Sequence, residues 1–339
     1  MEGTFNILTI DGGGIRGIFP AKFLASLEDR MVEMKKSKTR IYEHFDLISG
    51  TSTGGIIAIA LALGIPAKEI LSLYFDKAND IFGEKRIWFR RWTYWSKYSN
   101  KKLEANLKET FRKYFGGKDP TLADCLVPVC IPIFDLSEGK PRVLKSKYHP
   151  EFNRDYHLPA YQAALATSAA PTFFDPFSDF YQKIGSGLVE PFSNKVDGGV
   201  IANNPTLLAL VEAQTAFKKE LKDIRVLSIG TGIRKYSDAD TRRFWGPLYW
   251  FNLYHKRIID LTMQGQSQLT ENVISLLQKG IGGTEKEKFK YVRINTTINV
   301  GSEIKLDETN PEKLIALSEK ASAEFQNNGN RVIDLFCNK

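Results

Sequence analysis

The apolar positions near the N-terminus follow strand patterns and helix patterns in turn. Residues 5–10 and 45–49 are short apolar runs that predict two buried strands. The first run leads into a predicted helix at about 16–35, in which four apolar residues recur at helical spacing: Leu24, Leu27, Met31 and Met34. The second run leads into an apolar helix at 56–63. This order of strand, helix, strand, helix predicts the start of a parallel α/β sheet.

The pattern continues through the rest of the chain without a clear break. Residues 131–136 and 226–230 predict two more buried strands, and Asn310 before Pro311 predicts a capped helix start. No repeat, low-complexity tract or clear linker is present. We therefore expect a single domain over residues 1–339. Its predicted parts are a core at about 5–235, a helical basic insertion at about 80–118 and a C-terminal extension at about 236–339.

A G-x-S-x-G motif follows the second predicted strand, as Gly50-Thr51-Ser52-Thr53-Gly54. A serine on a sharp strand-to-helix turn projects its hydroxyl clear of the sheet, and Gly50 and Gly54 let the neighbouring backbone pass close by. The N–H groups at the start of the next helix would point at an oxyanion formed there. The motif predicts Ser52 as a nucleophile. The alternative is a glycine-rich turn with an idle serine.

A glycine loop, Asp11-Gly12-Gly13-Gly14-Ile15-Arg16-Gly17, follows the first predicted strand. Consecutive N–H groups at a helix start can converge on the oxygen of a tetrahedral intermediate, which predicts an oxyanion hole at Gly12, Gly13 and Gly14. A tight turn without chemistry is one alternative. The other is dinucleotide binding, because the loop also satisfies G-x-G-x-x-G. That function needs an acidic residue at the end of the second strand, where Ser49 and Gly50 stand instead.

The serine needs a base within hydrogen-bond reach. Asp197 precedes Gly198 and Gly199 on a predicted tight turn, which would hold the aspartate with its side chain free, and burial beside the serine would raise its basicity. Taken alone, Asp-Gly-Gly is more often only a turn. Among the histidines, His255 is the one that follows in the chain order of an α/β-hydrolase triad.

The composition excludes several classes of protein. Hydrophobic residues make up 42% and charged residues 25% of the 339, as in ordinary globular proteins. No stretch approaches the roughly 18 uncharged apolar residues of a membrane helix, and the N-terminus lacks the pattern of a signal peptide. The three cysteines and four histidines show neither disulfide nor metal-ligand spacing. We therefore expect a reduced, cytoplasmic protein with no metal and no cofactor.

The net charge of +8 comes from one segment. Between Lys85 and Lys118 there are 11 Lys/Arg and 2 Asp/Glu, while the rest of the chain has 36 and 37. All five tryptophans lie in two stretches, at 86–98 and 244–254. A basic, aromatic segment suits an interfacial rim on an anionic membrane. It also suits a nucleotide pocket, or a small cluster of aromatic side chains that simply pack on each other.

The three motifs occur in the order found in the patatin-like phospholipase family, which this sequence resembles over roughly 5–235. Residues 166–174, Ala-Thr-Ser-Ala-Ala-Pro-Thr-Phe-Phe, also resemble a segment of that family. The resemblance implies a three-layer α/β fold with a mainly parallel central sheet flanked by helices. It implies hydrolysis of phospholipid acyl esters by a Ser52–Asp197 dyad, without histidine or metal. Arg16 then anchors the glycine loop or the substrate phosphate.

Some bacterial members of that family act in anti-phage defence, where a cyclic oligonucleotide activates the phospholipase and membrane damage follows. The length and the basic aromatic segment are compatible with this function. It implies partners in a phospholipid membrane surface and a cyclic oligonucleotide, with peripheral association at the inner membrane when active. We expect no nucleic-acid partner, and the oligomeric state is open. The alternatives are an ungated housekeeping or effector lipid hydrolase and a catalytically dead binding module, which would not need all three motifs.

Overall fold

The computed structural model describes residues 3–82, 96–235, 246–250, 257–280, 289–299 and 303–338. Within these ranges the strands are β1 (Phe5–Ile10), β2 (Leu47–Gly50), β3 (Val129–Asp135), β4 (Lys140–Lys145), β5 (Phe177–Gln182), β6 (Val189–Asp197), β7 (Ile224–Ile229), β8 (Ile233–Arg234), β9 (Lys290–Ile294) and β10 (Thr297–Ile298). The helices are α1 (Ile18–Glu33), α2 (Thr53–Ala62), α3 (Ala67–Asp76), α4 (Ala78–Phe82), α5 (Asn100–Tyr114), α6 (Ala160–Ser168), α7 (Thr206–Thr215), α8 (Pro247–Trp250), α9 (Arg257–Gly280) and α10 (Pro311–Phe336).

The main sheet is parallel at its centre and antiparallel at one side. Its order is β5-β6-β3-β2-β1-β7-β9, and β4 also pairs with β3. β1 is parallel to β2 and β7, β2 is parallel to β3, and β7 is parallel to β9. β4 and β6 pair with β3 in the antiparallel sense, as β5 does with β6. The predicted mainly parallel sheet is confirmed.

The sheet separates two apolar clusters because successive side chains of a strand point to opposite faces. Leu8 and Ile10 of β1 pack on one face with helices α1, α2, α3, α6 and α10. Phe5 and Ile7 pack on the other face with α7 and Ile274 of α9. Helices therefore cover both faces, which confirms the predicted three-layer arrangement.

β2 and β6 lie along the same edge of β3. β2 runs parallel to the start of β3, with Ser49 beside Cys130, and β6 runs antiparallel to its end, with Asp197 beside Ile133. β4 pairs along nearly the whole of β3 and so takes the other edge. Because β2 and β6 run toward each other, their carboxyl ends meet beside Pro132.

The two helices after the glycine motifs begin at different residues from those predicted. The first was expected to start at about Arg16, but a short 3-10 turn occupies Gly14–Gly17 and α1 starts at Ile18. Gly14 has φ 57°, a left-handed conformation that an α-helix cannot contain. The second helix was expected to start at Ile56, whereas α2 starts at Thr53, directly after the serine turn.

The C-terminal part contributes to the same layers. β9 extends the main sheet beside β7, and α10 packs along α1, where Phe23 and Phe325 meet edge to face with ring centroids 5.6 Å apart. The predicted cap of α10 is confirmed, since the Asn310 side chain accepts hydrogen bonds from the N–H groups of Glu312 and Lys313.

Of the predicted basic insertion, residues 80–82 and 96–118 are described, and they contain the end of α4 and the helix α5. Most of the two tryptophan-rich stretches, 86–98 and 244–254, lies outside the described residues. Among the helices that the structure describes, none combines the length and the hydropathy needed to cross a membrane.

Candidate active site

Ser52 stands on a strained turn between β2 and α2. Its backbone has φ 55° and ψ −125°, a conformation that residues with a side chain rarely adopt. The turn is tight because a Cβ on Gly54 would overlap the carbonyl of Ile10, and one on Gly50 would overlap the carbonyl of Gly54. The sequence therefore folds here only with glycine at both positions, as the motif predicts.

Asp197 accepts a hydrogen bond from Ser52. The Oγ of Ser52 lies 2.6 Å from Oδ2 of Asp197, and the N–H of Gly199 donates to Oδ1 at 2.6 Å. Asp197 is the last residue of β6, and the turn Gly198–Val200 follows it at once. A Cβ on Gly198 would overlap the carbonyl of Pro132, so this turn is held against β3. The structure thus brings together the predicted nucleophile and the predicted base.

The carboxylate of Asp197 is fully enclosed, which changes its proton affinity. Burial raises its pKa from 3.8 to about 7, while the hydrogen bonds from Ser52 and Gly199 act in the opposite direction. No cation pairs with this carboxylate among the described residues. A carboxylate with a pKa near 7 is matched to proton transfer at neutral pH.

Thr167 of α6 supports the serine turn from behind. Its Oγ1 accepts a hydrogen bond from the backbone N–H of Ser52 at 3.1 Å and donates to the carbonyl of Pro132 at 2.8 Å. The hydroxyl of Thr51 donates to the carbonyl of Ala202 at 2.6 Å. Ser52 and the residue before it are therefore tied to β3, through Thr167, and to the loop that follows Asp197.

The glycine loop lies beside the dyad but uses one of its predicted donors elsewhere. The N–H of Gly12, one of the three predicted oxyanion-hole donors, donates to the carbonyl of Asn203 at 2.9 Å in this structure. The carbonyl of Gly12 is held by the Oγ1 of Thr231 at 2.7 Å. Within the described ranges, the N–H groups of Gly13 and Gly14 have no acceptor. They remain as the two candidate donors of this loop.

Arg16 is buried behind the same loop. Its Nε donates to the carbonyl of Gly13 at 3.4 Å. Of the two roles predicted for Arg16, this contact fits an anchor for the loop. The carbonyl of Leu306 accepts a hydrogen bond from the N–H of Ile15 at 2.8 Å and packs directly on Gly14.

A cavity opens at the dyad. Ser52, Asp197 and Gly14 lie in its wall, and most of the remaining lining is apolar: Ile15, Ile56, Leu73, Ala78, Ile81, Phe82, Leu103, Ala170, Phe173, Phe174, Met263 and Leu306. The hydroxyls of Thr53 and Tyr74, which also line it, are hydrogen-bonded to each other. The cavity can therefore receive an apolar group next to the serine.

None of the described histidines lies at the cavity. His44 contacts the carbonyl of Lys38, and His157 accepts a hydrogen bond from the N–H of Ile184. His149 packs against the ring of Phe152. His255 lies outside the described residues, so its position relative to Ser52 stays untested.

Several residues of the site escaped the sequence analysis. They are Thr167, Asn203, Thr231, Ser267 and Arg293, which hold the serine turn or the glycine loop. Each belongs to a residue type that is common on protein surfaces and in turns. The one feature of the sequence that could have indicated any of them is the segment Ala-Thr-Ser-Ala-Ala-Pro-Thr-Phe-Phe, which resembles a family segment and contains Thr167.

The family model of the patatin-like phospholipases matches residues 8–210, a span that contains the glycine loop, the serine turn and Asp197. The chain belongs to the patatin-like phospholipase family. It is therefore an ester-hydrolysing enzyme of the phospholipase type, as the sequence predicts.

Relatives of this chain include bacterial and plant proteins. A "cGAMP-activated phospholipase" of Escherichia coli is 34% identical over 95% of this chain and 90% of its own. One from Vibrio cholerae is 35% identical over 70% of this chain and 67% of its own. Patatin-like protein 3 of Arabidopsis thaliana is 32% identical over 92% and 79%. Among solved structures, VipD from Legionella pneumophila has 12% identity and a TM-score of 0.46, covering 97% of this chain and 67% of that one.

Proposed function

We propose that this enzyme hydrolyses acyl esters of phospholipids through a Ser52–Asp197 dyad. One observation carries the proposal: the 2.6 Å hydrogen bond between the serine hydroxyl and a buried carboxylate, at the wall of an apolar cavity. The carboxylate provides a base. The cavity provides a site for an acyl chain, since Asp197 is the one charged residue among the described residues that line it.

In the first half of the reaction, Asp197 accepts the hydroxyl proton as the Oγ of Ser52 attacks the ester carbonyl carbon. The carbonyl oxygen becomes an oxyanion, which the N–H groups of Gly13 and Gly14 stabilise. The tetrahedral intermediate then collapses. The proton passes from Asp197 to the leaving alkoxide, the lysophospholipid departs and the acyl group remains on Ser52.

In the second half, water attacks the acyl-enzyme while Asp197 accepts a proton from it. The second tetrahedral intermediate returns the proton to the Oγ of Ser52, and a fatty acid is released. Because Asp197 must both accept and return a proton in each half, a pKa of about 7 is suited to this cycle at neutral pH.

The test is fatty-acid release from mixed phospholipid vesicles, with wild type, Ser52→Ala and Asp197→Asn side by side. Ser322→Ala is a matched control, because this hydroxyl on α10 donates only to the carbonyl of Ser318. Each protein is assayed with and without a panel of cyclic di- and trinucleotides. We expect Ser322→Ala to release fatty acid as wild type does, and Ser52→Ala and Asp197→Asn to release none. Equal release from wild type and Ser52→Ala would remove Ser52 as the nucleophile.

A cyclic oligonucleotide is proposed as the activator, in bacterial anti-phage defence that degrades the cell membrane. The support is the name of the Escherichia coli relative, "cGAMP-activated phospholipase", together with its match along nearly the whole chain. In the same assay, we expect fatty-acid release with one cyclic nucleotide and little release without it. cGAMP is the first nucleotide to test. Release by wild type at full rate without any nucleotide would establish the ungated lipid hydrolase instead.

We also propose that the active enzyme is a cytoplasmic protein that associates peripherally with the inner membrane. In its described part, the basic insertion exposes Lys101 and Lys102 along α5, together with Arg112 and Lys113, which form ion pairs with Asp119 and Glu69. Exposed cations attract anionic headgroups. Co-sedimentation should therefore be stronger with anionic than with zwitterionic vesicles, and salt should weaken it. Equal binding to both kinds of vesicle would contradict this proposal.

A further inference from the structure

Asp11 places a buried carboxylate at the base of the glycine loop. Arg293 binds it with two hydrogen bonds, from Nη1 to Oδ1 at 2.9 Å and from Nη2 to Oδ2 at 2.6 Å. The hydroxyl of Ser267 donates to Oδ2 at 3.1 Å. Asp11 is the residue at which the chain leaves β1, so these contacts fix the point from which Gly12 begins.

Arg293 is itself held from two further directions. Its Nη1 donates to the Oγ of Ser228 on β7 at 2.8 Å, and its Nε donates to Glu271 on α9 at 3.3 Å. The guanidinium group is planar and matches a carboxylate in a fixed, two-bond geometry. A side chain bound on three sides in this way sets the orientation of Asp11.

Helix α9 also holds the glycine loop through Asn203. Ser267 accepts a hydrogen bond from Nδ2 of Asn203 at 2.8 Å, and Gln266 accepts one from the N–H of Asn203 at 3.1 Å. The carbonyl of Asn203 in turn receives the N–H of Gly12. One turn of α9 therefore reaches Gly12 by two routes, through Asp11 and through Asn203.

The charge of Asp11 matters for the reaction as well. A carboxylate close to a developing oxyanion opposes its formation, and this effect is strong where water is excluded. Arg293 neutralises that carboxylate by direct contact. Buried ion pairs are seldom better for stability than apolar packing of the same shape, so stability alone is a weak reason for this pair at this place.

We propose that Arg293 is a positioning residue for the oxyanion hole, acting through Asp11 and assisted by Ser267. The inference rests on the proposed function, since it presumes an oxyanion near Gly13 and Gly14. Both Ser267 and Arg293 lie beyond the residues matched by the family model, 8–210. The C-terminal part of the chain therefore completes the site, although it carries neither member of the dyad.

The test measures kcat and KM with a chromogenic acyl ester, in the presence of any activating nucleotide. The variants are Arg293→Gln, Arg293→Lys and Ser267→Ala. We expect Arg293→Gln to lower kcat about 10- to 100-fold with KM changed by less than about threefold, because a misplaced donor weakens transition-state binding. Arg293→Lys keeps the positive charge but cannot form two parallel hydrogen bonds to the carboxylate. Its kcat should lie between those of wild type and Arg293→Gln. The acid limb of the pH profile, set by Asp197, should stay in place.

A matched control and a milder variant keep the result decisive. Lys145→Gln breaks another partly buried ion pair, with Glu212, away from the loop, and should leave kcat unchanged. Circular dichroism and the melting temperature establish the folded fraction. Unchanged kcat in folded Arg293→Gln, or an equal loss in Lys145→Gln, would overturn the inference. If Arg293→Gln does not fold, Ser267→Ala decides: it should lower kcat severalfold, and wild-type kcat would overturn the inference.

Failure of the inference differs from failure of the proposed function. Wild-type turnover that disappears in Ser52→Ala, with full activity in folded Arg293→Gln, removes only the role of Arg293. Turnover that does not depend on Ser52 removes the proposed function, and the role of Arg293 with it.

Discussion

The Oγ1 of Thr167 accepts a hydrogen bond from the backbone N–H of Ser52, and its own O–H donates to the carbonyl of Pro132. Thr167→Val keeps the shape but leaves both buried backbone groups without a partner. We expect a loss of about 2 kcal/mol in the free energy of unfolding, measured by chemical denaturation, together with a lower kcat. Thr167→Ser retains the hydroxyl and should lose much less. Equal stability of the Val and Ser variants would contradict this account.

The backbone of Ser52 stores strain that the catalytic turn requires. Ser52→Gly removes the Cβ at φ 55°, whereas Ser52→Ala keeps it. Both variants should be inactive, but Ser52→Gly should be more stable than Ser52→Ala by about 1 kcal/mol, since glycine adopts this conformation without strain. Thermal denaturation of the two variants measures the difference. Greater stability of Ser52→Ala would mean that the turn is not strained by its side chain.

The activity should depend on the ionisation of Asp197. Its pKa of about 7 means that the carboxylate is largely protonated at pH 6 and cannot accept the serine proton. The rate constant kcat/KM should therefore fall about tenfold for each pH unit below that pKa and level off above it. Initial rates with a soluble ester between pH 5 and 9 test this. A profile that stays flat down to pH 5 would assign the base to another group.

The same carboxylate should lower the stability of the fold at high pH. The pKa of Asp197 is raised from 3.8 to about 7 in the folded state, so the folded state holds this proton more tightly than the unfolded state. The free energy of unfolding is therefore highest below about pH 4 and decreases as the pH rises through 7. Asp197→Asn resembles the protonated form. At pH 8 it should be more stable than wild type by up to roughly 4 kcal/mol, and by much less at pH 4. Urea denaturation at both values gives the comparison, and an equal difference at the two would count against the raised pKa.

The apolar cavity should determine which acyl chains react. Leu103 lies in its wall on α5. Leu103→Trp fills part of the space and should lower kcat/KM for a long-chain ester about tenfold or more, while a short-chain ester is cleaved nearly as before. The short ester serves as the control for folding and for the dyad. An equal loss with both esters would place the acyl chain elsewhere.

The sequence predicts the parts of the site that are encoded locally. A turn five residues long requires Gly50 and Gly54, and the G-x-S-x-G pattern around Ser52 predicts that turn directly. The pairing of Ser52 with Asp197 is different, because it depends on two strands meeting along β3. The periodicity of the sequence does not predict this pairing, whereas the order of the motifs, which resembles that of a family, does.

The remaining residues of the site depend on contacts that no short pattern encodes. Arg293 reaches Asp11 because β9 lies next to β7, and that neighbour relation follows from the assembled sheet. The hydrogen bond of Gly12 has a similar cause. Nothing near Gly12 indicates that the carbonyl of Asn203 takes its N–H.

The meeting of β2 and β6 along one edge of β3 also governs when activity can appear during synthesis. Ser52 and Asp197 are 145 positions apart in the chain, and Arg293 is 282 positions from Asp11. Contacts between such distant positions form late, because the intervening chain must first be ordered. A nascent chain on the ribosome therefore contains Ser52 long before the contacts of Ser52 with Asp197 can form. We therefore expect phospholipase activity to appear only after β9 has been synthesised and has joined the sheet.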